Sequence, residues 1–70
     1  MENKLGVGEK LIWILEKYGT INYSTIDIEY KKMWFQKMPV VTVGEIKVAR
    51  ETLSETISAL YDALWIIYNA

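Results

Sequence analysis

The chain has 70 residues, with eight Lys and Arg against nine Asp and Glu for a net charge of −1, and it contains neither His nor Cys. The missing residue types exclude His acid–base catalysis, Ser–His and Cys–His nucleophiles, disulfides and the usual structural zinc sites. The acidic balance, with a pI near 5.3, is not the footprint of a protein that holds nucleic acid by bulk charge.

One domain, residues 1–70, is expected. Hydrophobic residues make up 51% of the chain, including three Trp and five Tyr. That is rich for a chain of this size, which buries only about 60% of its unfolded surface. With disulfide and zinc staples both missing, oligomerisation is the remaining common route to stability. The absence of Cys and of a recognisable leader points to the cytoplasm.

Residues 1–6 read as a polar start. Gly6-Val7-Gly8 has the look of part of a phosphate loop, but lacks the Gly-Lys-Ser/Thr ending that would cradle a phosphate. Residues 8–18 predict a first helix. Leu11, Ile14, Leu15 and Tyr18 form its i, i+3, i+4, i+7 face, and Gly19 suits the left-handed residue just past a helix end. Residues 20–23 are short and β-prone.

Ser24 and Asp27 then match a capping box, and Ile26, Tyr30, Met33 and Trp34 follow at helical spacing. Ile26, Ile28 and Tyr30 also alternate with Asp27 and Glu29 as a strand would. The alternation breaks at Lys31-Lys32 and no Gly, Asn or Asp marks a hairpin turn there, so a second helix over 24–37 is the expectation. Pro39 disfavours helix at Met38 and ends the element. Val40, Val41 and Val43 predict a short extended segment, with residues 20–23 as its possible two-stranded partner.

Thr42 and Glu45 match another capping box. Apolar residues then recur at Ile46, Ala49, Leu53, Ile57, Leu60, Leu64 and Ile67, which predicts one long amphipathic helix reaching residue 70. About 25 residues at ~1.5 Å each would overhang a compact domain of this size. Beyond Leu60 the apolar stripe widens until only Asp62 and Asn69 are polar.

Two further clusters carry weaker chemistry. Asp27 and Glu29 could act as a carboxylate pair only inside an enclosure. Lys31, Lys32 and Lys37 lie near Trp34 and Phe35, an interleaving of cations and aromatics that can contact nucleic acid.

The stretch LIWILEKYGTINYSTI, residues 11–26, resembles the opening of many winged-helix DNA-binding domains. There a first helix ends at Gly, an extended stretch follows, and Ser or Thr caps a second helix. The resemblance implies an α+β fold with a short two-stranded element, and a dimerisation role for the last helix. The sequence departs from that pattern after residue 37, where Pro39 and the valines stand in place of a recognition helix.

The expectation from sequence is an all-α, helical three-helix fold, with the α+β winged-helix-like arrangement as alternative. The expected function is a small non-enzymatic interaction protein. It would self-associate as a homodimer or larger, or dock on another protein, through Ile57, Leu60, Tyr61, Leu64, Trp65 and Tyr68. The alternatives are a DNA-binding regulator contacting DNA through Lys31, Lys32 and Lys37, and a small inhibitor of a larger protein. No cofactor, metal, small-molecule substrate or membrane is expected.

Overall fold

The computed structural model describes residues 5–30 and 34–70, with side chains for 5–29 and 36–70. The elements run α1 (Val7–Tyr18), β1 (Asn22–Tyr30), β2 (Trp34–Val43), β3 (Ile46–Ala49) and α2 (Leu53–Tyr68). The strands form one antiparallel sheet in the order β1-β2-β3. The fold is therefore α+β, which corrects the all-α, helical expectation. The α+β alternative holds at the level of class, with three strands where two were expected.

Helix α1 is bounded as its sequence suggests. The Glu9 carboxylate accepts the Gly6 N–H at 2.9 Å, so Gly6-Val7-Gly8 opens a helix. Gly19 adopts φ 85° and its N–H reaches back to the Leu15 carbonyl. Glycine takes this left-handed conformation without the Cβ clash other residues meet.

The second correction concerns residues 24–37, expected as a helix. Among the described residues they form β1 and the start of β2, in unbroken register from Asn22↔Thr42 through Ile26↔Met38 to Tyr30↔Trp34. The period-two pattern of Ile26, Asp27, Ile28 and Glu29 was the true signal. The strand is long because β2 is long: it pairs along nine residues of it. The expected partnering of the valine segment with residues 20–23 is present, as Tyr23↔Val41 and Asn22↔Thr42. Pro39 lies within β2 and does not end an element. The ladder with β3 begins only at Val40↔Ala49, so one side of Pro39 has no backbone partner awaiting an N–H.

The third correction concerns the long helix. Thr42 lies in β2 and Glu45 in the two-residue turn to β3, where Gly44 takes φ 59°. Ile46 and Val48 alternate along β3. Helix α2 begins at Leu53 and has 16 residues, about 24 Å of helix. Its cap is Thr52, whose Oγ1 accepts the Glu55 N–H at 3.1 Å and donates to Glu55 Oε1 at 3.2 Å. The T-x-x-E spacing is that of the box expected ten residues earlier, but here the Glu55 carboxylate takes the Thr52 hydroxyl instead of its backbone N–H.

Directly paired residues share a sheet face, so Val41, Val43, Ile46 and Val48 point to the same side. The helices cover that side. Ile14, Val41, Val43, Leu60, Tyr61 and Leu64 form the buried cluster, with Leu5, Trp13, Tyr18, Ile21, Ile46 and Val48 packed around it. Three antiparallel strands separate the helices, an odd number, so α1 and α2 run in the same direction. Lys10 accordingly meets Ser58, and Tyr18 meets Leu64.

Beyond Val40 the β1–β2 hairpin continues without β3. It projects as a two-stranded arm about 20 Å long. The radius of gyration is 13.3 Å, with extents of 43 × 24 × 20 Å. A compact chain of this length has a radius near ~11 Å. The accessible surface, 5301 Å², likewise exceeds the ~4,500 Å² expected for this mass. The overhang inferred from sequence thus exists, but the hairpin makes it and not the helix.

Candidate interaction site

The core leaves much apolar surface uncovered. Ile12, Leu15, Tyr23, Ile26, Leu53, Trp65, Ile66, Ile67 and Tyr68 are all exposed. Four of these are consecutive and form the last turn of α2. Helical spacing explains why. Ile57, Leu60, Tyr61 and Leu64 fall on one face and seat α2 on the sheet. Trp65, Ile66 and Ile67 fall on the flanks and back of the helix, at 46%, 65% and 52% exposure.

The expected interface residues therefore divide. Ile57, Leu60, Tyr61 and Leu64 are interior to the chain's own core, and a charge placed at Leu64 would test folding rather than contact. Trp65 and Tyr68 remain on the surface. The sequence reading missed Ile66 and Ile67 as contact candidates, although the widening stripe already contained them.

An aromatic cluster fixes the end of α2 against α1. The Trp13 ring meets Tyr61 edge-on, centroids 5.1 Å apart at 73°, and Tyr68 at 5.4 Å and 82°. Tyr18 meets Trp13 at 6.3 Å and Tyr68 at 6.4 Å. Edge-to-face pairs at such distances set the positive ring edge on the negative face of the next ring. Tyr18 Oη donates to the Leu64 carbonyl at 3.3 Å. Lys10 Nζ lies 5.5 Å from the Tyr61 centroid and Lys17 Nζ 5.3 Å from that of Tyr68. Each ammonium rests over an electron-rich face. The helix closes at Asn69, whose Nδ2 and N–H both donate to the Trp65 carbonyl. The last turn is thus held from the α1 side and open elsewhere, with Lys17 beside Tyr68 on the held side and Lys10 nearer the middle of α2.

Of the proposed nucleic-acid contacts, only Lys37 is among the described residues. Lys37 is on the arm, where its Nζ donates to Asp27 Oδ1 at 3.1 Å, so its charge is matched across the hairpin. Asp27 and Glu29 are exposed on β1, without an enclosing wall. Lys31 and Lys32 lie outside the described residues. Between α1 and the sheet, the described residues hold no helix, so the winged-helix order of elements is not followed. No described helix is long and apolar enough to cross a membrane. Compared with family models, curated proteins and solved structures, the chain matches none.

Proposed function

We propose that this chain is a small, cytoplasmic, non-enzymatic interaction protein that docks the last turn of α2 into an apolar groove on another protein. The observation that carries the reading is the exposure of Trp65, Ile66, Ile67 and Tyr68 together on a turn already fixed by Trp13 and Tyr18. A helix end that is apolar around most of its circumference suits a groove better than a flat face, because a groove covers flanks as well as front. Trp and Tyr are the residue types that most often dominate contact energies. Pre-fixing the turn lowers the ordering cost of binding. Lys17, over Tyr68 on its α1 side, favours a partner with a carboxylate on that rim. The absence of His and Cys and the exposure of the described carboxylates support a non-enzymatic role.

The test is site-specific photo-crosslinking in cells, with a photoreactive residue at Ile66, Ile67 or, as a control, exposed Lys47 on β3. A discrete adduct at positions 66 and 67 but not at 47 is expected, and Ile66→Asp should abolish adduct formation from position 67. An adduct of twice the chain's own mass would make this a self-contact instead. Equal adducts at all three positions, or none, would refute the reading.

A further inference from the structure

Strand β1 is an edge strand of nine residues, and its register with β2 runs without a bulge from Asn22 to Tyr30. Edge strands offer a row of unpaired N–H and C=O groups to any other strand. Proteins usually blunt them with Lys, Pro, a bulge or short length. The other edge, β3, has only four residues and carries exposed Lys47. β1 (NYSTIDIEY) is long and has no Lys, Pro or bulge, and its two charges, Asp27 and Glu29, both lie in its second half. Residues 22–27 and Glu29 are all exposed.

We infer that β1 is a homodimerisation edge, pairing antiparallel with β1 of a second copy to join two three-stranded sheets into one of six. This goes beyond the docking role of α2 and uses a different element. A two-fold axis normal to the sheet places one residue of β1 opposite its own copy. The charges decide which residue that is. Centring on Asp27 sets two carboxylates face to face, and centring on Ile28 sets Asp27 opposite Glu29. Like charges directly opposite are destabilising. Centring on Ile26 sets Thr25 opposite Asp27, Tyr23 opposite Glu29, Ser24 opposite Ile28 and Ile26 opposite itself. It uses all nine residues and opposes no like charges. The strand is neutral in its first half and acidic in its second, so antiparallel pairing with itself brings unlike halves together. A second copy thus meets every acidic residue of β1 with a neutral one. The pairing also keeps both pairs of helices on one side of the joined sheet. It covers one flank of Ile26, which is 47% exposed in the single chain.

The absence of any cysteine in the chain makes the register directly testable. Residues directly opposite in an antiparallel pair have Cα atoms about 4.5–5.5 Å apart, within disulfide range. Ile26→Cys is expected to oxidise to a covalent dimer. Asn22→Cys is the control, since it would lie about 27 Å from its own copy and should stay reduced. Solution mass across a concentration series supplies the second readout. The unaltered chain is expected to dimerise, and Ile26→Lys to remain a folded monomer. Thr25→Lys gains an opposed charge pair with Asp27 twice per dimer and should tighten assembly roughly 3- to 30-fold, whereas Thr25→Glu should weaken it. A monomer at all concentrations would overturn the inference. So would a dimer that survives Ile26→Lys and Thr25→Glu, or one lost on Ile66→Asp alone, which would place self-association on α2. Because the Cys and charge variants lie on β1, loss of the α2 docking role would leave their outcomes unchanged.

Discussion

Thr56 is the one fully buried polar residue among the described core positions, and replacing it with Val isolates the value of its hydroxyl. Its Oγ1 accepts the Arg50 N–H at 3.1 Å and donates to the Thr52 carbonyl at 2.7 Å. These bonds tie the end of β3 to the first turn of α2. Thr56→Val keeps the shape of the side chain, so almost no cavity forms. The Thr52 carbonyl keeps its bond from the Thr56 N–H at 3.0 Å. The loss therefore falls on the Arg50 N–H, which is left without its acceptor in a partly buried position. Such an orphaned donor costs about 1–3 kcal/mol. A domain of this size has a total stability of roughly 4–10 kcal/mol, so the change is large in proportion. Thr56→Ser retains the hydroxyl and deletes one methyl, a loss of about 1 kcal/mol. Urea unfolding followed by tryptophan fluorescence should rank the chains unaltered, then Ser, then Val, with unchanged slopes. The reasoning is refuted if Val is as stable as the unaltered chain, or more stable than Ser.

Two further outcomes follow from the same geometry. Trp13→Ala removes the ring that meets Tyr18, Tyr61 and Tyr68. As Trp13 is only half-buried, the cost should be about 2–3 kcal/mol, below the ~3–5 of a fully buried Trp. It should also raise amide hydrogen exchange in the last turn of α2 more than in its first, and equal change at both ends would deny the cluster its fixing role. Gly19→Ala meets no atom within 4 Å, so its cost is purely the left-handed backbone at φ 85°, about 1–2 kcal/mol by thermal unfolding. Gly19→Asn, which tolerates that conformation better, should lose less, and an Ala variant as stable as the glycine would contradict the assigned geometry.

Which parts of the fold could be read from the chain follows from the range of the interactions that decide them. Helix α1, its stop at Gly19 and the helical run from Ile57 to Leu64 were legible, because caps and three-to-four spacing act within a turn or two. The apolar widening after Leu60 was legible too, and two of the six residues expected as contacts, Trp65 and Tyr68, are exposed. Residues 24–37 carried two periods at once, with Ser24 and Asp27 spaced as a cap while Ile26 and Ile28 alternated. Only the nine-residue ladder against β2 breaks that tie. Ile46 and Ala49 fit a helical stripe in line with Leu53 by coincidence of spacing, yet Ile46 and Val48 stand opposite Val43 and Val41 in the sheet. Which of Ile57, Leu60, Tyr61, Leu64, Trp65 and Tyr68 stay exposed was likewise beyond the stripe itself. A stripe says that a face is apolar, while burial depends on whether the sheet and α1 reach it.

By itself, then, the sequence determined composition, the exclusion of His and Cys chemistry, the first helix and an apolar chain end, all consequences of residue type and near-neighbour spacing. The tertiary structure alone decided that the middle of the chain is a sheet, that its hairpin and not its helix overhangs the body, and that β1 is left as an edge. Strand pairing joins residues up to twenty apart, from Tyr30↔Trp34 to Asn22↔Thr42, so the period-two mark at Ile26–Glu29, rivalled locally by helical spacing, is decided only by a partner strand far along the chain.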